Sequence, residues 1–224
     1  MGFNSYIALI YQIACTFPAI AGIISYRHLS RGAKILAFYY VIAAIVDLTG
    51  FYLIRHGQSN IKLYHFFDPV EYFCLVYGFS YWIGSIKLTK ILRYSIIVFV
   101  ILSVVNSLRM PDINHYSFAA LAIAYVVYVV ISSIVIYNLI KSDTGGTHKN
   151  PVFWLAASLF IMSTNNVLYY TINITGQDIR LLEIFNYVHQ FFNIIAFILA
   201  AIGLLIYNYI DGKVTAPEVS VYWN

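Results

Sequence analysis

Seven long apolar runs separated by short polar linkers leave this chain almost no way to fold in water. They cover about 5–25, 35–54, 63–86, 94–108, 117–140, 151–172 and 181–209. In hydrocarbon a segment must satisfy its own backbone hydrogen bonds, and runs this long are helices rather than barrel strands. The expected fold is therefore all-α: a polytopic integral membrane protein, with residues 1–224 forming one domain of seven transmembrane helices. Composition agrees, since 61% of the 224 residues are hydrophobic and 10% charged, against roughly 45–50% and about 25% in a soluble domain. The fourth run is short for a span, so Arg93 and Arg109 are expected to snorkel to its two interfaces. The lipid bilayer is the one partner the sequence demands, and a plasma or bacterial inner membrane is the expected location.

The formal net charge of +4 comes from basic residues scattered singly between apolar runs. No basic stripe follows a phosphate backbone, so nucleic acid is not an expected partner. Alternate linkers instead divide these residues by side. Arg27, Arg31, Lys34, Lys87, Lys90, Arg93, Lys141, Lys149 and Lys213 fall on one side, and Arg55, Lys62, Arg109 and Arg180 on the other. The richer side is cytoplasmic by the positive-inside rule, which puts the N-terminus outside and the C-terminus inside. Cys15 and Cys74 lie within apolar runs and read as small buried hydrophobes rather than a disulfide framework. The N-terminal stretch lacks a basic region and a cleavage site, and reads as a retained first span.

In this topology runs one to three and five to seven point the same way, which invites a test for duplication. Sliding 63–81 onto 181–199 without gaps pairs Leu63 with Leu181, Phe67 with Phe185, Val70 with Val188, Phe73 with Phe191 and Phe79 with Phe197. His65, Asp68 and Glu71 then fall on Glu183, Asn186 and His189, the same i, i+3, i+6 polar ladder. A nearly equal offset places Phe38, Thr49 and Leu53 on Phe153, Thr164 and Leu168. The expectation is a 3+1+3 parallel pseudo-repeat. This layout resembles that of the sugar-transporting SWEET proteins and the vitamin-transporting PnuC proteins in architecture alone. The Pro-Gln dipeptide of the related PQ-loop proteins is absent, so the resemblance carries over no residue.

Ionisable groups inside a bilayer cost roughly 2.5–3.5 kcal/mol each on insertion scales and persist where they face the bundle interior. Here they are Asp47, Asp68, Glu71, Glu183 and His189, accompanied by Gln12, Asn165, Asn166, Asn186, Gln190 and Asn193. At 1.5 Å of rise per residue most lie roughly 8–12 Å from the outer helix ends. Polar arcs on the third and seventh runs are thus expected to face each other across an outward pocket. Asp68, Glu71 and His189 are its titrating members, and Asp47 and the amides orient a ligand. Glu71 and His189, paired by the repeat, are expected to meet and to exchange a proton near neutral pH. Most of the 21 tyrosines read as interfacial belt residues, with Tyr125 and Tyr128 the better wall residues.

These features exclude some functions and rank others. A retinal photoreceptor needs a lysine in the last span, and 181–209 has none. Asp68, Glu71, His189 and Glu183 could supply mixed oxygen and nitrogen ligands, but no close His or Cys pair supports a metal, and no motif names a cofactor. The leading expectation is a binder of a small solute or ion, most simply a transporter, rather than an enzyme. The alternatives are a seven-helix receptor or sensor, an accessory subunit of a membrane complex, and a metal-dependent membrane enzyme. A homo-oligomer or a membrane-complex partner is compatible with each.

Overall fold

Ser30 and Asn150 open their helices as side-chain caps. Ser30 Oγ accepts from the Ala33 amide at 3.4 Å, and Asn150 Oδ1 accepts from Val152 at 3.0 Å, with Pro151 in the first helical position. The computed structural model describes residues 3–109, 118–142, 146–175 and 179–209, with side chains described over 6–105, 120–142, 146–173 and 184–209. Seven long helices occupy these residues: α1 Phe3–Ser25, α2 Arg31–Arg55, α3 Ile61–Ser80, α4 Ile86–Arg109, α5 Phe118–Ser142, α6 Pro151–Thr175 and α7 Ile179–Ile206. A single 3₁₀ turn, Thr147–Lys149, precedes α6, and no strand occurs among the described residues. The all-α expectation holds.

Two boundaries differ from the sequence reading. The third apolar run was expected to continue to 86, yet α3 stops at Ser80 and the chain turns through 81–85, where Gly84 has φ +75°. That left-handed conformation suits glycine. α4 then begins at Ile86 rather than near 94. Its first turns contain Lys87, Lys90 and Arg93, basic residues that read as linker in the sequence. Arg93, expected to snorkel, reaches the C-terminal end of α3. It is buried, its Nε donates to Ser80 Oγ at 3.2 Å, and its guanidinium lies 4.7 Å and 5.3 Å from the ring centres of Tyr77 and Tyr81. A partnered guanidinium can sit inside the bundle. The side chain of Arg109 lies outside the described residues.

Six of the helices are long and apolar enough to cross a membrane: α1, α2, α4, α5, α6 and α7. The exception is α3, which carries Lys62, His65, Asp68 and Glu71 on 20 residues. The one long helix outside that set thus holds two of the intramembrane acids singled out in the sequence.

Neighbouring helices form a closed ring: α1 on α2, α2 on α3, α3 on α5, α5 on α6, α6 on α7, and α7 back on α1. α4 lies outside the ring against α3. In this ring α3 stands opposite α7. Small residues draw the helices together at one end. A methyl on Gly32 would sit 2.7 Å from the Gly78 carbonyl oxygen, and one on Gly22 would sit 2.8 Å from Ala37 Cβ. At the same end Gly203 packs against Leu155 and the Pro151 carbonyl. Polar links complete the closure: Asn208 donates to Ser25, Asn138 donates to the Ile83 carbonyl at 2.8 Å, and the Ser30 and Tyr207 hydroxyls meet at 3.2 Å. Large apolar side chains such as Ile23, Phe66, Ile101 and Ile123 are exposed on the outside of the bundle, as lipid contact requires.

Candidate functional site

At the other end the ring is not filled. A cavity of about 400 Å³ lies between α1, α2, α3, α5, α6 and α7, and a second space of about 530 Å³ adjoins it, sharing Tyr11, Asp47, Asn60, Tyr64, Tyr169 and His189. The mouth lies by Arg55 and Asn60, where α2 ends and α3 begins, and Glu71 lies deepest on α3. Eleven residues of helix separate Asn60 from Glu71, which makes the recess about 16 Å deep.

Glu71 is buried and receives two phenols. Tyr125 donates to Oε1 at 2.9 Å and Tyr39 to Oε2 at 3.2 Å. One carboxylate on α3 therefore ties α2 to α5 at the α3–α5 seam. Asp47 is half-buried and accepts from the Tyr64 hydroxyl at 3.0 Å, joining α2 to α3. Asp68 is half-buried on the same wall as Glu71. Asp47 and Glu71 each keep lone pairs beyond those their tyrosines occupy.

His189 is held by amides on the opposite wall. Asn165 Nδ2 lies 3.1 Å from its Nδ1 and Asn193 Nδ2 lies 3.1 Å from its Nε2, while Asn165 also donates to the His189 carbonyl at 3.1 Å. An imidazole offers at most one acceptor nitrogen, so at least one of the two amides presents its oxygen to the ring. Tyr169 stacks on the imidazole at 4.2 Å between ring centres. The expected meeting of Glu71 with His189 is not formed. Both line the cavity, but Glu71 bonds to tyrosines and His189 to asparagines. The two long tyrosines reach Glu71 first, because they stand on the helices flanking α3, whereas α7 stands across the ring.

The other residues singled out in the sequence divide by depth. Asn166 and Asn193 line the inner cavity with Asp47, Asp68, Glu71 and His189. Asn186 and Gln190 line the outer space. Asn165 stands behind His189 and fixes it. The side chain of Glu183 lies outside the described residues. Tyr125 is a wall residue as expected, whereas Tyr128 is fully buried behind it, edge-on at 5.3 Å.

The sequence reading singled out Gln12 among the polar companions but missed Tyr11, Tyr39, Tyr64, Tyr169 and Tyr170. A usable signal was present: Tyr39 is two helical turns before Asp47, Tyr64 one turn before Asp68, and Tyr169 and Tyr170 follow Asn166 by one turn. Those spacings place them on the polar faces rather than in an interfacial belt.

Among the described residues no group of three or more His, Cys, Asp or Glu converges to hold a metal ion. Asp47 reaches the cavity from α2, Asp68 and Glu71 from α3, and His189 from α7, with phenols and amides also lining it. An apolar helical bundle with a polar recess in one half is an integral membrane protein of the multi-pass helical class. No protein-family model, no curated protein and no solved structure matches the chain. The likeness to the SWEET and PnuC layout therefore carries no argument.

Proposed function

We propose that this protein is a small-solute transporter whose substrate occupies the recess between Glu71 and the mouth at Asn60. The observation that carries this reading is the contrast between the two ends. One end is drawn together by Gly22, Gly32, Gly78 and Gly203, and the space of about 420 Å³ beside Gly22 is lined almost wholly by apolar groups, while the other end encloses carboxylates, amides and phenols around a space of solute size. A binding space open to one side and sealed to the other is one state of an alternating-access cycle.

In this reading α3 crosses the membrane as a seventh span, sheltered by its neighbours. The recess faces outside and the basic linkers face the cytoplasm of a plasma or bacterial inner membrane. The 3+1+3 repeat has support of two kinds. Ring order maps onto itself when α1, α2 and α3 are exchanged for α5, α6 and α7. Several aligned pairs also share an environment: Val70 and Val188 are exposed, as are Phe73 and Phe191, while Phe79 and Phe197 are buried.

The test is binding followed by flux. Purified protein is screened by thermal unfolding against small solutes, and stabilising solutes are then offered to proteoliposomes. The reading expects at least one stabilising solute to be taken up, with the shift lost in Asp47→Ala. Binding without uptake favours the receptor alternative, and no stabilising solute at all removes both.

A further inference from the structure

We propose that the recess selects a small organic ammonium ion, which its tyrosine faces and carboxylates hold together. This rests on the solute-site reading above and names its substrate class. The argument begins with the rings. Tyr39, Tyr64, Tyr125, Tyr169, Tyr170 and Phe67 line the same 400 Å³ as the three carboxylates. Ring faces attract cations through the aromatic quadrupole, and quaternary ammonium groups are recognised in this way.

Hydrogen bonding reinforces that preference. Tyr39 and Tyr125 donate their hydroxyls to Glu71, and Tyr64 donates to Asp47. A phenol that donates to a carboxylate becomes more electron-rich, which strengthens its face for a cation. The same bonds fix the rings, and Tyr125 further stacks on Tyr170 at 5.5 Å. Such a cage is preorganised, so a ligand does not have to order it.

The charge on the wall points the same way. Among the described residues that line the two spaces, the carboxylates Asp47, Asp68 and Glu71 are accompanied by one arginine, Arg55, which is exposed at the mouth with its guanidinium 5.0 Å over the Phe51 ring.

The experiment uses Ala43→Cys, a cavity-wall position, in a chain where Cys15→Ala and Cys74→Ala remove both native thiols. Reaction rates are compared for a trimethylammonium-bearing and a sulfonate-bearing methanethiosulfonate. With each rate scaled to that reagent's rate toward a free thiol in solution, the expected result is about a tenfold preference for the cationic reagent, reduced by tetramethylammonium and abolished by Asp47→Asn. An equal or faster reaction with the sulfonate overturns the ammonium assignment and leaves the solute cavity standing. If neither reagent reacts, the cavity is not reachable and the reading beneath the proposal fails with it. Unmodified protein gives a check that needs no variant. Choline should raise its unfolding temperature, whereas 3,3-dimethylbutan-1-ol, its neutral isostere, should not. A matching rise with both compounds contradicts the proposal.

Discussion

Glu71 shows how one side chain can serve both packing and a site. It sits where α3 meets α5 and accepts from tyrosines on α2 and α5. Removing it takes the shared acceptor from two buried hydroxyls, those of Tyr39 and Tyr125. Glu71→Ala should therefore destabilise the bundle by about 1–3 kcal/mol, with Glu71→Gln costing less because an amide oxygen still accepts one phenol. Unfolding in mixed micelles measures the difference, and equal losses would show that the hydrogen bonds do not hold the seam. The acids, His189 and the asparagines were legible in the sequence because ionisable groups in apolar runs stand out. Their partners were not. Tyrosine suits both a membrane interface and a cavity wall, so composition alone cannot choose between the two. Only spacing from an acid could have separated Tyr39 and Tyr64 from belt residues, and the pairing of Glu71 depended on which helices flank α3.

At the scale of the element, α3 decides the topology. Its 20 residues carry too many polar groups to qualify as a span by composition, yet the ring places it between α2, α4 and α5. Neighbours can shelter a polar helix that would not insert alone. Reporter fusions after Gln58 and after Gly84 should accordingly report opposite sides of the membrane. The same side for both would leave six spans. The α3 C-terminus and the α4 start were misjudged in the sequence for one physical reason. Lys87, Lys90 and Arg93 look like a linker in one dimension, but in the fold Arg93 is stacked on Tyr77 and Tyr81. Arg93→Lys should lower stability by about 1 kcal/mol, since an ammonium keeps the charge and loses the planar stacking. Thermal unfolding checks this, and an unchanged transition would mean that charge alone suffices. Gly32→Leu should cost more, on the order of 1–3 kcal/mol, because a Cβ there meets the Gly78 carbonyl.

For the whole molecule, the division into a shut half and a hollow half organises everything else. Apolar runs revealed the bundle, and helical rise placed the polar groups in one half of it, where the structure then divides them between an inner and an outer space. The ring order, with α4 excluded, was not written in any single run, because it depends on which small residues approach one another across helices. The central claim is that solvent reaches the polar half and not the other. Ala43 on the cavity wall and Ala200, fully buried in α7, are each replaced by cysteine in the chain lacking Cys15 and Cys74. An impermeant thiol reagent is then applied from each side of the membrane. The account predicts that Ala43→Cys reacts from the outside only and that Ala200→Cys reacts from neither side. Reaction of Ala200→Cys, or an unreactive Ala43→Cys in a folded protein, would contradict it.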